Sequence, residues 1–86
     1  MLDVVLYTTM MCPYCARAKQ LLEDKGVAYT EIDVGMDPDK RKEMTARSAG
    51  GRTVPQIFIG STHVGGSDDL YALDEAGKLD SLLASG

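Results

Sequence analysis

The sequence predicts a small α/β domain in which a four-stranded mixed sheet carries helices on both faces. A continuous apolar run at Val4 to Tyr7 is followed by a helical pattern and then by an alternating one, which together read as a β-α-β unit. Further along, Gly60-Ser61 separates two strand-like runs by the two residues of a tight hairpin. With 86 residues, 44% of them hydrophobic and 26% charged, the chain suits one globular core.

The elements follow in order. Val4 to Tyr7 has the unbroken apolar character of a strand covered on both faces. Thr8 to Met11 link it to a helix with Cys12 as N-cap and Pro13 at the first helical position, where a missing N–H costs nothing. Cys15, Ala18, Leu21 and Leu22 then recur at helical spacing, and Lys25-Gly26 closes the helix. Ala28, Thr30, Ile32 and Val34 alternate with Tyr29, Glu31 and Asp33, predicting a strand with one wet face. Asp37-Pro38 opens a polar helix to about Ser48, and Gly50-Gly51 breaks it. Val54 to Ile59 reads as the third strand and Thr62 to Val64 as the fourth. Gly65-Gly66-Ser67-Asp68-Asp69 leads into a helix carrying Leu70, Leu73 and Ala76. Gly77 punctuates that helix, and Leu79, Leu82 and Leu83 suggest a last short one. The order β-α-β-α-β-β-α requires a right-handed crossover between parallel strands and then an antiparallel hairpin. That is the minimal thioredoxin-like fold, in a single domain over residues 1–86.

A net charge of −4 argues against nucleic acid or an anionic membrane surface as the main partner. Lys40, Arg41, Lys42, Arg47 and Arg52 are nonetheless five of the nine basic residues, and are read as a solvated helix face. Met1-Leu2-Asp3 has no basic n-region, and Val4 to Tyr7 is too short for a signal segment or a membrane span. A cytoplasmic location is therefore expected, where reducing conditions suit a cysteine pair that cycles.

Both cysteines fall in Cys12-Pro13-Tyr14-Cys15, at the joint between a strand and a helix. A helix N-terminus presents unsatisfied N–H groups and the positive end of the helix dipole, which stabilise a thiolate. Cys12, at the outer edge of the N-cap, fits the nucleophile; Cys15, one turn further in and facing the core, fits the resolving thiol. The alternatives are a metal pair or two inert core cysteines. Metal needs more ligands and only His63 is left, so no metal is expected. His63 is given no role, while Met10 and Met11 either flank the site as soft apolar surface or fill the core.

Cys12-Pro13-Tyr14-Cys15, Thr53-Val54-Pro55-Gln56-Ile57-Phe58-Ile59 and Gly65-Gly66-Ser67-Asp68-Asp69-Leu70 resemble the blocks of dithiol glutaredoxins of the short bacterial class. The resemblance covers nearly the whole chain. It implies a glutathione-dependent thiol–disulfide oxidoreductase that reduces protein disulfides and glutathione mixed disulfides, with glutathione as reducing co-substrate. It further implies a cis Pro55 facing the dithiol, so that Thr53, Val54 and Pro55 offer backbone to an extended thiol peptide. Gly66, Ser67 and Asp68 are implied to hold the γ-glutamyl end of glutathione. The physics agrees: N–H groups at a helix start suit a carboxylate, and the Asp68 carboxylate suits an ammonium. Tyr14, between the cysteines, either packs or lines the same site. The implied partners are disulfide-containing or glutathionylated client proteins, and a monomer is expected.

Two positions depart from the family pattern. Thr9 stands where members often carry a lysine three residues before the first cysteine, and Ser67 where some carry a third cysteine. Two rival readings stay open: a carrier reduced by thioredoxin reductase, and a dimer bridging an iron–sulfur cluster through Cys12 and two glutathiones. Ser67 and Asp68 argue against the first, and Pro13, where cluster-binding members commonly have a smaller residue, against the second.

Overall fold

A computed structural model describes residues 3–84, so the outermost ends of the expected 1–86 domain lie outside the described residues. The elements run β1 (Val4–Thr8), α1 (Pro13–Asp24), β2 (Thr30–Asp33), α2 (Pro38–Arg47), β3 (Gln56–Ile59), β4 (Thr62–Gly65), α3 (Ser67–Glu75) and α4 (Leu79–Ala84). The sheet has four strands in the order β2-β1-β3-β4. β1 is parallel to β2 and antiparallel to β3, and β3 is antiparallel to β4.

Strand alternation sorts the central residues into two cores. Val4 and Leu6 of β1 and Ile57 and Ile59 of β3 pack with Ala18 and Leu22 of α1, Leu70 of α3, and Leu79 and Leu83 of α4. On the other face, Tyr7 and Phe58 pack with Val34 and with Met44 of α2. Coverage on both faces is why these strands read as unbroken apolar runs.

Three expectations need correction. β2 is shorter than Ala28–Val34, because its register against β1 runs only from Thr30, opposite Val5, to Asp33, opposite Thr8; Val27, just before, donates its N–H to the Leu22 carbonyl at 3.0 Å. It also has no single wet face: Thr30 is exposed like Glu31 and Asp33, and only Ile32 is partly covered, against the second core, as in an edge strand. β3 begins at Gln56, since proline offers no N–H to a ladder; the Val54–Pro55 peptide before it is cis, as expected.

The helix ends follow the sequence closely. Cys12 is the α1 N-cap with Pro13 after it; Lys25 is the C-cap, and Gly26 follows at φ +70° in the left-handed turn that glycine allows. Asp37 caps α2 by accepting the Lys40 N–H at 3.0 Å. β4 extends one residue past Val64 to Gly65, which pairs with Ile57.

Candidate functional site

β1 delivers the chain to one end of the sheet, and Thr9-Met10-Met11 turn it into α1. Met11 takes φ +58° there, a left-handed turn uncommon for a side-chain-bearing residue, and the chain re-enters extended geometry at Cys12. That backbone aims one first-turn amide at sulfur: Cys15 N–H donates to Cys12 Sγ at 3.2 Å. The Cys12 thiol in turn makes a long contact to the Val54 carbonyl at 3.9 Å.

Both thiols are free, yet their surroundings differ. Cys12 is half-buried, whereas Cys15 is 1% exposed. Burial, reinforced by the adjacent Cys12, pushes the Cys15 thiol up to about 12. The arrangement pairs a reachable sulfur that receives an N–H with a sealed one that keeps its proton.

A cleft of about 400 Å³ opens beside this pair. Tyr14, Thr53, Val54, Pro55, Gly66, Ser67 and Asp68, the residues assigned from sequence to glutathione, all line it. Gln56, His63, Gly65 and Asp69 line it too and were missed. The signal for Gln56 and Gly65 was adjacency to the assigned blocks; for His63 only the hairpin register, two residues before Gly65, offers one.

The cleft's far wall is the start of α3, with Gly66 as N-cap. Gly65 sits at φ +113°, and a Cβ there would collide with the Asp69 carboxylate. Ser67 is buried, and its hydroxyl has no hydrogen-bond partner among the described residues. Asp68 is exposed at the rim.

A second cleft of about 410 Å³ lies on the other side of Cys12, lined by Thr9, Met10, Met11, Pro13, Lys19, Glu31 and Asp33 together with both cysteines. Met10 and Met11 are 80% and 97% exposed, so they flank the site and do not fill the core. Lys19 is paired with Glu31 at 3.0 Å, and the same carboxylate accepts the Thr8 hydroxyl at 2.6 Å. The Thr8 hydroxyl first, and Lys19 with it, hold Glu31 below the usual carboxylate range.

The basic segment is largely a solvated face, with three members engaged: Lys40 pairs with Glu43 at 3.5 Å along α2. Arg41 Nη1 donates to the Arg52 carbonyl at 3.2 Å, and Arg47 Nη1 to the buried Tyr7 hydroxyl at 2.9 Å. Among the described residues no group of three or more His, Cys, Asp or Glu is placed to hold a metal ion. No described helix is long and apolar enough to cross a membrane.

The glutaredoxin family model matches residues 4–64. The chain belongs to the glutaredoxin family. A glutaredoxin of Pseudomonas aeruginosa is 62% identical over 82 residues, which is 95% of this chain and 96% of that protein. Among solved structures, a glutaredoxin from Brucella melitensis is 61% identical, with a TM-score of 0.84 over 96% of this chain and 89% of that one. A buckwheat glutaredoxin–glutathione complex is 33% identical, with a TM-score of 0.85 over 95% of this chain and 76% of that one. As a glutaredoxin, the chain has the thioredoxin-like sheet and helices expected from its sequence.

Proposed function

We propose that this glutaredoxin reduces protein disulfides and glutathione mixed disulfides through Cys12 and Cys15, with glutathione as the electron donor. The observation that carries the reading is the asymmetry of the pair: Cys12 Sγ receives the Cys15 N–H at 3.2 Å while the Cys15 side chain is sealed.

Cys12 thiolate attacks one sulfur of a client disulfide, forming a Cys12–client bond and releasing the other client sulfur as thiolate. Cys15 then gives up its proton and attacks the Cys12 sulfur, closing the Cys12–Cys15 disulfide and releasing the second client thiolate. One glutathione thiolate opens that disulfide, leaving a Cys12–glutathione adduct and Cys15 thiol. A second takes the adduct off as glutathione disulfide and restores Cys12. Two electrons pass from two glutathiones to one client disulfide.

The cleft suits the glutathionyl group. Val54 lies against Cys12 and offers backbone to the cysteinyl residue, while the first amides of α3 suit the γ-glutamyl carboxylate and Asp68 its ammonium. Tyr14 contributes a ring at the rim. The buckwheat relative, of like fold, is solved with glutathione. The same reading makes the protein a cytoplasmic monomer that meets its clients where glutathione is reduced.

Incubating Cys15→Ser with glutathione disulfide tests the reading by intact mass. The expected product carries one glutathione on Cys12, and it turns over when glutathione is added with glutathione reductase and NADPH. Turnover with thioredoxin reductase but none with glutathione would overturn it.

A further inference from the structure

We propose that His63 is a positioning residue for the thiol-pairing edge: through Gln56 it holds Thr53, and with Thr53 the Val54 backbone beside Cys12. The proposal deepens the glutathione reading and rests on it. Gln56 opens β3 and is 5% exposed, so its amide must find partners inside the protein. Gln56 Nε2 donates to the Thr53 carbonyl at 3.0 Å and meets the Thr53 hydroxyl oxygen at 3.2 Å. A primary amide has two N–H donors, and both are spent on one residue. Gln56 Oε1 is thereby turned away from Thr53, and it lies 2.7 Å from His63 Nε2. An amide oxygen only accepts, so Nε2 carries the hydrogen in this contact.

His63 is held in place for that task. It faces Phe58 across the β3–β4 ladder, and its ring stacks on Phe58 at 4.9 Å with 25° between planes. Phe58 is itself fixed, edge-on to buried Tyr7 at 5.7 Å and under the Arg47 guanidinium at 4.2 Å. The imidazole of an otherwise exposed residue is thus seated on the second core. Thr53 needs such a tie because it lies in the irregular stretch between α2 and β3, where no strand partner fixes its carbonyl. His63, Gln56, Thr53 and Val54 all line the glutathione cleft, so a shift at one end of the chain moves the edge at the other.

Three variants separate the parts. His63→Phe keeps an aromatic ring over Phe58 and removes the donor; His63→Gln returns an N–H at similar reach; Gln56→Leu removes the link itself. With a glutathionylated peptide as client, His63→Phe and Gln56→Leu are each expected to raise KM for glutathione about three- to ten-fold, the range one neutral hydrogen bond covers. Their kcat should hold, the double variant should lose no more than either single one, and His63→Gln should return KM to within about two-fold of the parent. In the ligand-free protein, Thr53 and Val54 amide resonances should move together in His63→Phe and Gln56→Leu, and return in His63→Gln. A purely structural role would lower the melting point and leave KM alone. Unchanged KM in both single variants, or additive losses in the double, would overturn the proposal while the parent still shows saturable glutathione dependence. Absence of that dependence in the parent would instead overturn the function itself, and the free-protein resonances would still judge the link.

Discussion

Asp69 Oδ2 accepts the Gly66 N–H at 2.9 Å, so the second of two adjacent carboxylates closes the start of α3. Asp68 stands exposed at the rim of the cleft, free to meet a ligand. On the proposed function the pair divides into a capping group and a binding group, and single alanine variants should show it. Asp69→Ala should lower stability by about 0.5–2 kcal/mol, the loss expected of a helix N-terminal cap. Asp68→Ala should leave the melting point alone and weaken glutathione use by about 1–3 kcal/mol through a lost charge-assisted bond. Glutathione-dependent kinetics beside thermal melts decide it; equal effects on both quantities from both variants would merge the roles.

The two thiols should separate just as cleanly. Cys12→Ser should abolish every reaction, because no other sulfur receives the α1 amide at 3.2 Å. Cys15→Ser should still strip glutathione from glutathionylated peptides, a route that needs Cys12 alone. On protein disulfides it should stall as a mixed disulfide, visible by intact mass. A Cys12→Ser variant that stayed active while Cys15→Ser was dead would reverse the roles.

Alkali should weaken the fold, and the sign follows from burial. Burial pushes Cys15 from 9.0 to about 12 and Tyr29 from 10.0 to about 12, and raises Tyr7 as well. All three keep their protons in the folded chain at pH values where the unfolded chain releases them. Stability is therefore intact below about pH 9 and falls as pH rises toward 12. Chemical denaturation from pH 8 to 11 measures the slope, and Cys15→Ser should flatten it by removing the thiol's share. A slope that is unchanged in Cys15→Ser would contradict the sealed, protonated thiol.

Much of this was legible in the sequence because strong local signals coincide with tertiary roles. Cys12 and Pro13 announce a helix start by their own chemistry, and the cleft's assigned lining sits in three contiguous blocks. What stayed hidden depended on pairing across the chain. That Gln56 and His63 meet is set by the β3–β4 register and by which way an amide turns, neither of which leaves a periodic trace. The shortening of β2 had the same origin, since the β1–β2 register pairs Val5 with Thr30 and Thr8 with Asp33 and leaves Ala28 and Tyr29 ahead of the ladder. The third strand was expected to begin at Val54, and that start failed on Pro55, whose missing N–H was visible in sequence but was outweighed by the apolar run around it.

Replacing Thr9 by lysine tests the departure from the family pattern. Thr9 lines the cleft on the Met10–Met11 side of Cys12, next to Lys19, Glu31 and Asp33. Lys19 is already held by Glu31 at 3.0 Å, so it is a poor source of charge for a glutathione carboxylate. A new ammonium at position 9 should therefore lower KM for glutathione by a few fold, since an exposed ion pair contributes about 0.2–1 kcal/mol. The gain should shrink in high salt, where exposed charges are screened. Asp33 competes for the same ammonium. Its Oδ1 accepts the Gly35 N–H at 2.7 Å, a contact an asparagine oxygen preserves, so Asp33→Asn removes the charge and keeps the turn. Thr9→Lys combined with Asp33→Asn should then exceed the gain of Thr9→Lys alone at low salt. A flat response in both would mean that a cation elsewhere serves the carboxylate. Arg52 would be the first to examine, since it is exposed and adjoins Thr53 on the cleft, whereas Arg41 spends an N–H on the Arg52 carbonyl. Arg52→Ala would in that case raise KM where Thr9→Lys had failed to lower it.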